Sequence, residues 1–91
     1  MLRIRTTAQF EADLRRMARA GRDGQTFGEV VRMLAHEEPI PAEYRDHELS
    51  GRWAGVRDIH VEPDWLLLYQ PQDRDLLLIR SGTHDDLFLR A

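Results

Sequence analysis

The sequence contains no cysteine and no lysine. Without cysteine there is no disulfide, no thiolate metal site and no thiol nucleophile, which fits a reducing compartment. Nor does any apolar run approach the ~18–20 residues of a membrane-spanning helix. The opening Met1-Leu2-Arg3-Ile4-Arg5 does not read as a secretory signal. A cytoplasmic protein without membrane contact is expected. Repeats, linkers and low-complexity tracts are missing too, and 91 residues suit one domain spanning 1–91. Its core is modest, but a hydrophobic fraction of 42% with two Trp, two Tyr and three Phe suffices for one layer of helix on sheet.

Because lysine is absent, all thirteen basic residues are arginine, whose planar fork grips phosphate through paired hydrogen bonds. The net charge of −3 does not advertise a nucleic-acid binder, yet the charge is uneven. Residues 1–32 carry seven Arg against four acids (+3), and residues 33–91 carry six Arg against twelve (−6). Composition alone leaves the partner open.

The hydrophobic pattern predicts β-α-α-β-β-β. Leu2 and Ile4 alternate with Arg3 and Arg5 as a short half-buried strand. Thr6 lies three residues before Gln9, a capping-box spacing, and Phe10, Leu14 and Met17 follow at helical intervals up to a stop at Gly21. Thr26-Phe27-Gly28-Glu29 repeats the capping signal for a second helix ending near His36, before Pro39 and Pro41 forbid continuation. Val56–Glu62, Trp65–Gln70 and Leu76–Ser81 are short apolar or alternating runs, separated by Pro63-Asp64 and Pro71-Gln72-Asp73 turns. An α+β fold follows: a mostly antiparallel sheet with both helices packed on one face, the other face left to solvent or ligand. Period two sends Arg57, Ile59 and Val61 to the helices, and Asp58, His60 and Glu62 to the open face.

Three of the four histidines fall in this second half, each with an acid nearby in sequence: His47 beside Asp46, His60 two after Asp58, His84 before Asp85. Histidines titrating near pH ~6.5 supply both a proton acceptor and a donor. RNA cut without metal needs that pair: a base takes the ribose 2′-hydroxyl proton, and an acid protonates the departing 5′-oxygen. Arg80 is a candidate to stabilise charge on the phosphate. Two other readings compete. The histidines could be solvated loop residues, or His47, His60, His84 and an Asp could hold zinc, although no compact His-x-x-x-His spacing supports a metal site. His36, at a helix end, reads as structural.

The run His47-Glu48-Leu49-Ser50-Gly51-Arg52-Trp53-Ala54-Gly55-Val56-Arg57-Asp58-Ile59-His60-Val61-Glu62-Pro63-Asp64-Trp65 closely resembles the YafQ toxins of the RelE superfamily. So does Arg80-Ser81-Gly82-Thr83-His84-Asp85-Asp86-Leu87-Phe88. The likeness covers residues 39–88; residues 1–38 match in element order but hardly in letters. It implies a RelE-like fold, cleavage of mRNA in the ribosomal A site and neutralisation by a DinJ-like antitoxin; with no metal-site spacing evident, no cofactor is expected. The family's functional positions fall on His47, Asp58, His60, Asp64, His84 and Phe88, all intact. On that footing His84 is expected as the general acid, Asp64 or His47 as the base, and His60 as the residue orienting the phosphate. Asp58 is expected to hold a histidine tautomer, Arg80 to clamp phosphate, and Phe88 either to stack on a base or to anchor the C-terminus. Trp53, Trp65 and Tyr69 read as packing residues. Arg15, Arg19 and Arg22 form a stripe on the first helix that could dock ribosomal RNA. The same fold also carries gyrase poisons that cut nothing, and a plain antitoxin-binding module is a third possibility.

Overall fold

The computed structural model describes residues 1–89. Its elements are β1 (Arg3–Thr6), α1 (Ala8–Arg19), α2 (Gly24–Ala35), β2 (His47–Glu48), β3 (Arg57–Glu62), β4 (Trp65–Pro71), β5 (Asp75–Gly82) and a single π-helical turn, Asp85–Leu89. Short 3-10 turns at Ala42–Tyr44 and Gly51–Trp53 flank β2. The five strands form one sheet in the order β1-β5-β4-β3-β2, antiparallel except where β1 lies parallel to β5. The expected α+β class and the mostly antiparallel sheet hold; β2 and the C-terminal turn are additions to the expected order.

Both helix starts fall away from their expected caps. Thr7, not Thr6, caps α1 by accepting from the Phe10 amide at 2.9 Å. Asp23 caps α2 a turn before Thr26, accepting from the Gln25 amide at 3.0 Å. Gly21 does end α1: at φ 82° its N–H bonds to Ala18 O while Arg22 N–H bonds to Met17 O, the two reverse bonds of a Schellman motif. The α2 end repeats this with Glu37 at φ 57°. α1 and α2 supply Phe10, Met17, Phe27, Val30 and Leu34 to the core, against Ile59, Val61, Trp65, Leu67, Tyr69, Leu76 and Leu78 from the sheet.

The second face of the sheet is not left open along its length. Leu66 and Leu68 are fully buried there, under Leu87 of the C-terminal turn and a rim of Leu49, Trp53, Val56, Ile79 and Phe88. β4 is therefore covered on both sides, which explains its unbroken Trp65-Leu66-Leu67-Leu68-Tyr69 run. β1 is an edge strand with a single neighbour, so Ile4 is half exposed where a half-buried strand was expected.

Candidate active site

Register builds the site. His47 on β2 pairs with Asp58 on β3, Asp58 with Leu68 on β4, and Leu68 with Arg80 on β5, so one row crosses four strands. At ~4.8 Å per strand, that row brings residues distant in sequence within reach of one substrate. Ile79 is the extra residue of a β-bulge: Leu68 faces Arg80 while the next residue, Tyr69, faces Leu78. Bulges re-aim side chains, and this one brings Arg80 into the His47 row. The adjoining row holds His60, Leu66 and Gly82, after which the chain leaves β5 and presents His84.

The rings of His47, His60, His84 and Phe88 consequently form a file. Successive centroids are 6.4, 6.4 and 5.1 Å apart. His47 and His84 are exposed, and His60 is half-buried. The acid facing His47 comes from another strand rather than from its neighbour in sequence. Asp58 Oδ2 lies 3.8 Å from His47 Nε2, whereas Asp46 turns away to accept from Tyr69 Oη at 2.5 Å and Arg57 Nε at 3.2 Å. Those bonds fix the start of β2 and hence the position of His47.

Asp58 does not hold a histidine tautomer by hydrogen bond, since 3.8 Å is too long. The tautomer is set by the backbone. Arg45, in the left-handed region at φ 48°, aims its carbonyl at His47 Nδ1, 2.8 Å away. A carbonyl oxygen only accepts, so Nδ1 carries the hydrogen, and the neutral ring has its lone pair on Nε2 beside Asp58.

Asp58 is 2% exposed, and burial raises its pKa above the usual carboxylate range, with His60, His47 and His84 pulling the other way. Its Oδ1 and the Nδ1 of His60 are buried without a protein partner. Burial also lowers the pKa of His60, aided by Arg45, His47 and His84 and opposed by Asp58, so the ring is neutral near pH 7. A cavity of about 210 Å³ opens beside His60, between Tyr44 and Arg45 on one side and Glu62 and Pro63 on the other. A larger hollow of about 450 Å³, around Met1, Arg3 and Arg74, touches none of the candidate residues.

The other candidates separate into those at the file and those beyond it. Asp64, in the β3–β4 turn, accepts the His84 backbone N–H at 3.3 Å and so braces the turn that carries His84. Phe88 is half-buried against the Leu66–Leu68 cluster with its ring on His84, while Leu87 is the buried anchor of the C-terminus. Trp53, Trp65 and Tyr69 pack as expected. Arg80 gives Nε and Nη2 to Asp13, each at 3.0 Å. Arg15 and Arg19 are exposed on α1, but Arg22 does not extend their stripe: the reversal at Gly21 swings it to Glu62, 3.1 Å away. Among the described residues no three His, Asp or Glu are gathered closely enough to hold a metal ion.

Sequence reasoning missed the group behind the site. Asp13 is fully buried and Arg16 bridges it to the C-terminal turn. Thr83 and Asp86 cap that turn reciprocally, Thr83 N–H to Asp86 Oδ2 at 3.0 Å and Asp86 N–H to Thr83 Oγ1 at 3.1 Å. Both signals were present: an acid between Phe10 and Met17 on an apolar helix face, and a Thr-x-x-Asp spacing.

Residues 2–89 match the family model described as the bacterial toxin of type II toxin-antitoxin systems, YafQ. The mRNA interferase toxin YafQ of Escherichia coli K12 is 38% identical over 86 residues, 93% of this chain and 94% of that protein. Among solved structures, a copper-bound mutant toxin from Helicobacter pylori superposes with a TM-score of 0.93 at 34% identity, covering 97% of this chain and all of that one. The E. coli DinJ-YafQ toxin-antitoxin complex gives 0.87 at 38% identity, covering 97% of this chain and 99% of the matched chain.

Proposed function

This chain belongs to the YafQ family of type II toxins, and we propose that it is a ribosome-dependent endoribonuclease that cuts mRNA in the ribosomal A site by metal-independent acid–base catalysis. A DinJ-like antitoxin is its neutralising partner. The observation that carries the reading is the file of three histidine rings at 6.4 Å intervals across the sheet, flanked by a buried carboxylate.

His47 is the general base. Its Nε2 lone pair is presented by the Nδ1–H bond to Arg45 O, and Asp58 stabilises the imidazolium that forms. Of the two candidates for this role, His47 is favoured over Asp64, one oxygen of which accepts the His84 amide, because His47 has its Nε2 lone pair set by a backbone bond. The 2′-oxygen, relieved of its proton, attacks the adjacent phosphorus; the phosphorus–5′-oxygen bond breaks, and His84 protonates the leaving oxygen. The products are a 2′,3′-cyclic phosphate and a 5′-hydroxyl. His60, whose pKa burial lowers, offers an N–H to the phosphate from the middle of the file, and Arg80 adds positive charge there. Phe88 stacks on a base next to the cut, and the cavity beside His60 receives the adjoining nucleotide.

Mapping 5′-ends of cellular mRNA after brief induction tests the reading. Cuts in register with codons are expected. Translation arrest without cuts would turn the assignment to a non-catalytic toxin, and cuts that ignore the reading frame would remove the ribosome from it.

A further inference from the structure

Among the described residues, the most heavily bonded side chain hydrogen-bonds to none of the histidines of the file. Asp13 is fully buried at an apolar position of α1, yet its two oxygens accept five hydrogen bonds. Arg80 supplies two of these, Arg16 Nη1 one at 2.8 Å, the Ser81 amide one at 3.1 Å and Gln9 one at 3.1 Å. The Ser81 bond lies on the edge of β5 beyond the last residue of β1 in the ladder, so the carboxylate continues where the strand leaves off.

Two arms leave Asp13. One is Arg80, whose Nε–Nη2 edge is fixed against the carboxylate; the end-on edge bearing Nη1 is directed away from it. The other is Arg16, whose Nη2 bonds to Ser81 O at 3.1 Å and Asp86 Oδ2 at 3.3 Å, and Asp86 caps the turn that begins at His84. Gly82 makes the second arm possible, since a Cβ there would lie 2.6 Å from Arg16 Nη2 and 3.0 Å from Asp86 Oδ2.

We propose that Asp13 is a positioning residue for RNA cleavage, setting Arg80 against the scissile phosphate through one arm and the His84 turn through the other. Stability alone does not account for the arrangement, because buried ion pairs are often no better for a fold than apolar side chains of like volume. What the network does supply is orientation, and catalytic gain from a cation or an acid depends on placement before the reaction. The pair stays ionised under working conditions. Burial would push Asp13 up, but Arg80, Arg16, Ser81 N–H and Gln9 together hold its pKa at about 2, and Asp13 raises that of Arg80.

The inference holds only if the chain cleaves RNA as proposed above, so wild type and His84→Ala are measured alongside. The test uses full-length protein, programmed ribosomes and single-turnover kinetics. Asp13→Asn keeps the shape and removes the charge; it should slow cleavage about 10²-fold, the scale of a displaced catalytic group, with the half-saturating ribosome concentration unchanged. Adding Asp13→Asn to Arg80→Ala should cost less than it does alone, because one of the two groups it orients is gone and only the share carried through Arg16 and the His84 turn remains. Asp86→Asn, at a partly exposed site, tests the other arm should Asp13→Asn not fold: it should slow cleavage roughly 10-fold and broaden the His84 ring resonances. Wild-type rates in either folded variant, or fully additive losses with Arg80→Ala, overturn the positioning role. No cleavage by wild type, or undiminished cleavage by His84→Ala, overturns the catalytic reading instead.

Discussion

His47 and Asp58 are directly opposed across the β2–β3 ladder, with Nε2 and Oδ2 3.8 Å apart, although eleven positions separate them in the chain. This gap is too long for a hydrogen bond in the resting protein and short enough to become one once the imidazole is charged. The pairing would therefore strengthen if His47 takes a proton as proposed.

A message carrying one 2′-deoxy sugar at the cut position should resist cleavage, because the proposed nucleophile is the missing oxygen. Ordinary message should yield a 2′,3′-cyclic phosphate and be cut in excess chelator. Product analysis by gel mobility and phosphatase sensitivity reads all three, and efficient cutting of the deoxy message rules the mechanism out.

His84→Ala should lower the single-turnover rate roughly 10²–10⁴-fold, the range for losing one acid–base group, with little change in ribosome affinity. Equal losses in binding and rate would make His84 a contact residue. His36 supplies the contrast: exposed at the end of α2 and not among the stacked rings of the file, its alanine variant should cleave normally.

Asp58→Asn should separate activity from stability. A carboxyl whose folded pKa is raised favours the fold when protonated and turns against it as the pH climbs through that pKa. At pH 7 the Asn variant should thus melt at or above the wild-type temperature, by roughly 4–8 °C per kcal/mol of relieved burial penalty. The difference should shrink as the pH falls toward the raised pKa. Cleavage should drop at least about 10-fold. A variant that melts lower and cuts equally well would make Asp58 structural.

Arg15→Glu with Arg19→Glu should weaken ribosome binding and flatten its dependence on salt, since fewer phosphates are neutralised and fewer counterions released. The rate at saturating ribosomes should persist. Unchanged affinity and salt slope would place the docking face elsewhere. Arg22 is left out of this pair because Glu62 holds it.

The strands of the second half were legible to within a residue or so, because prolines bracket them and period two is unambiguous over short runs. Period two also put Asp58 and His60 on one face without any structure. The helix starts were not legible, since Thr6 and Thr7, or Asp23 and Thr26, are equally good caps on paper and only packing chooses between them. Arg22 was misplaced because one glycine at positive φ redirects every residue after it. Asp13 and Arg80 stand 67 positions apart, and no local pattern states that a helix will press a carboxylate onto the edge of a strand not yet in view.

The parallel ladder between Arg3–Thr6 and Asp75–Leu78 closes a loop over nearly the whole chain. Such distant pairings form late in folding, after the entropy of closure has been met. During synthesis the first strand has no neighbour until residues 75–78 emerge, and His84 and Phe88 emerge later still. A half-made molecule has neither the Arg80 row nor the histidine file. If the chain cuts mRNA as proposed, that activity waits until the last turn is released.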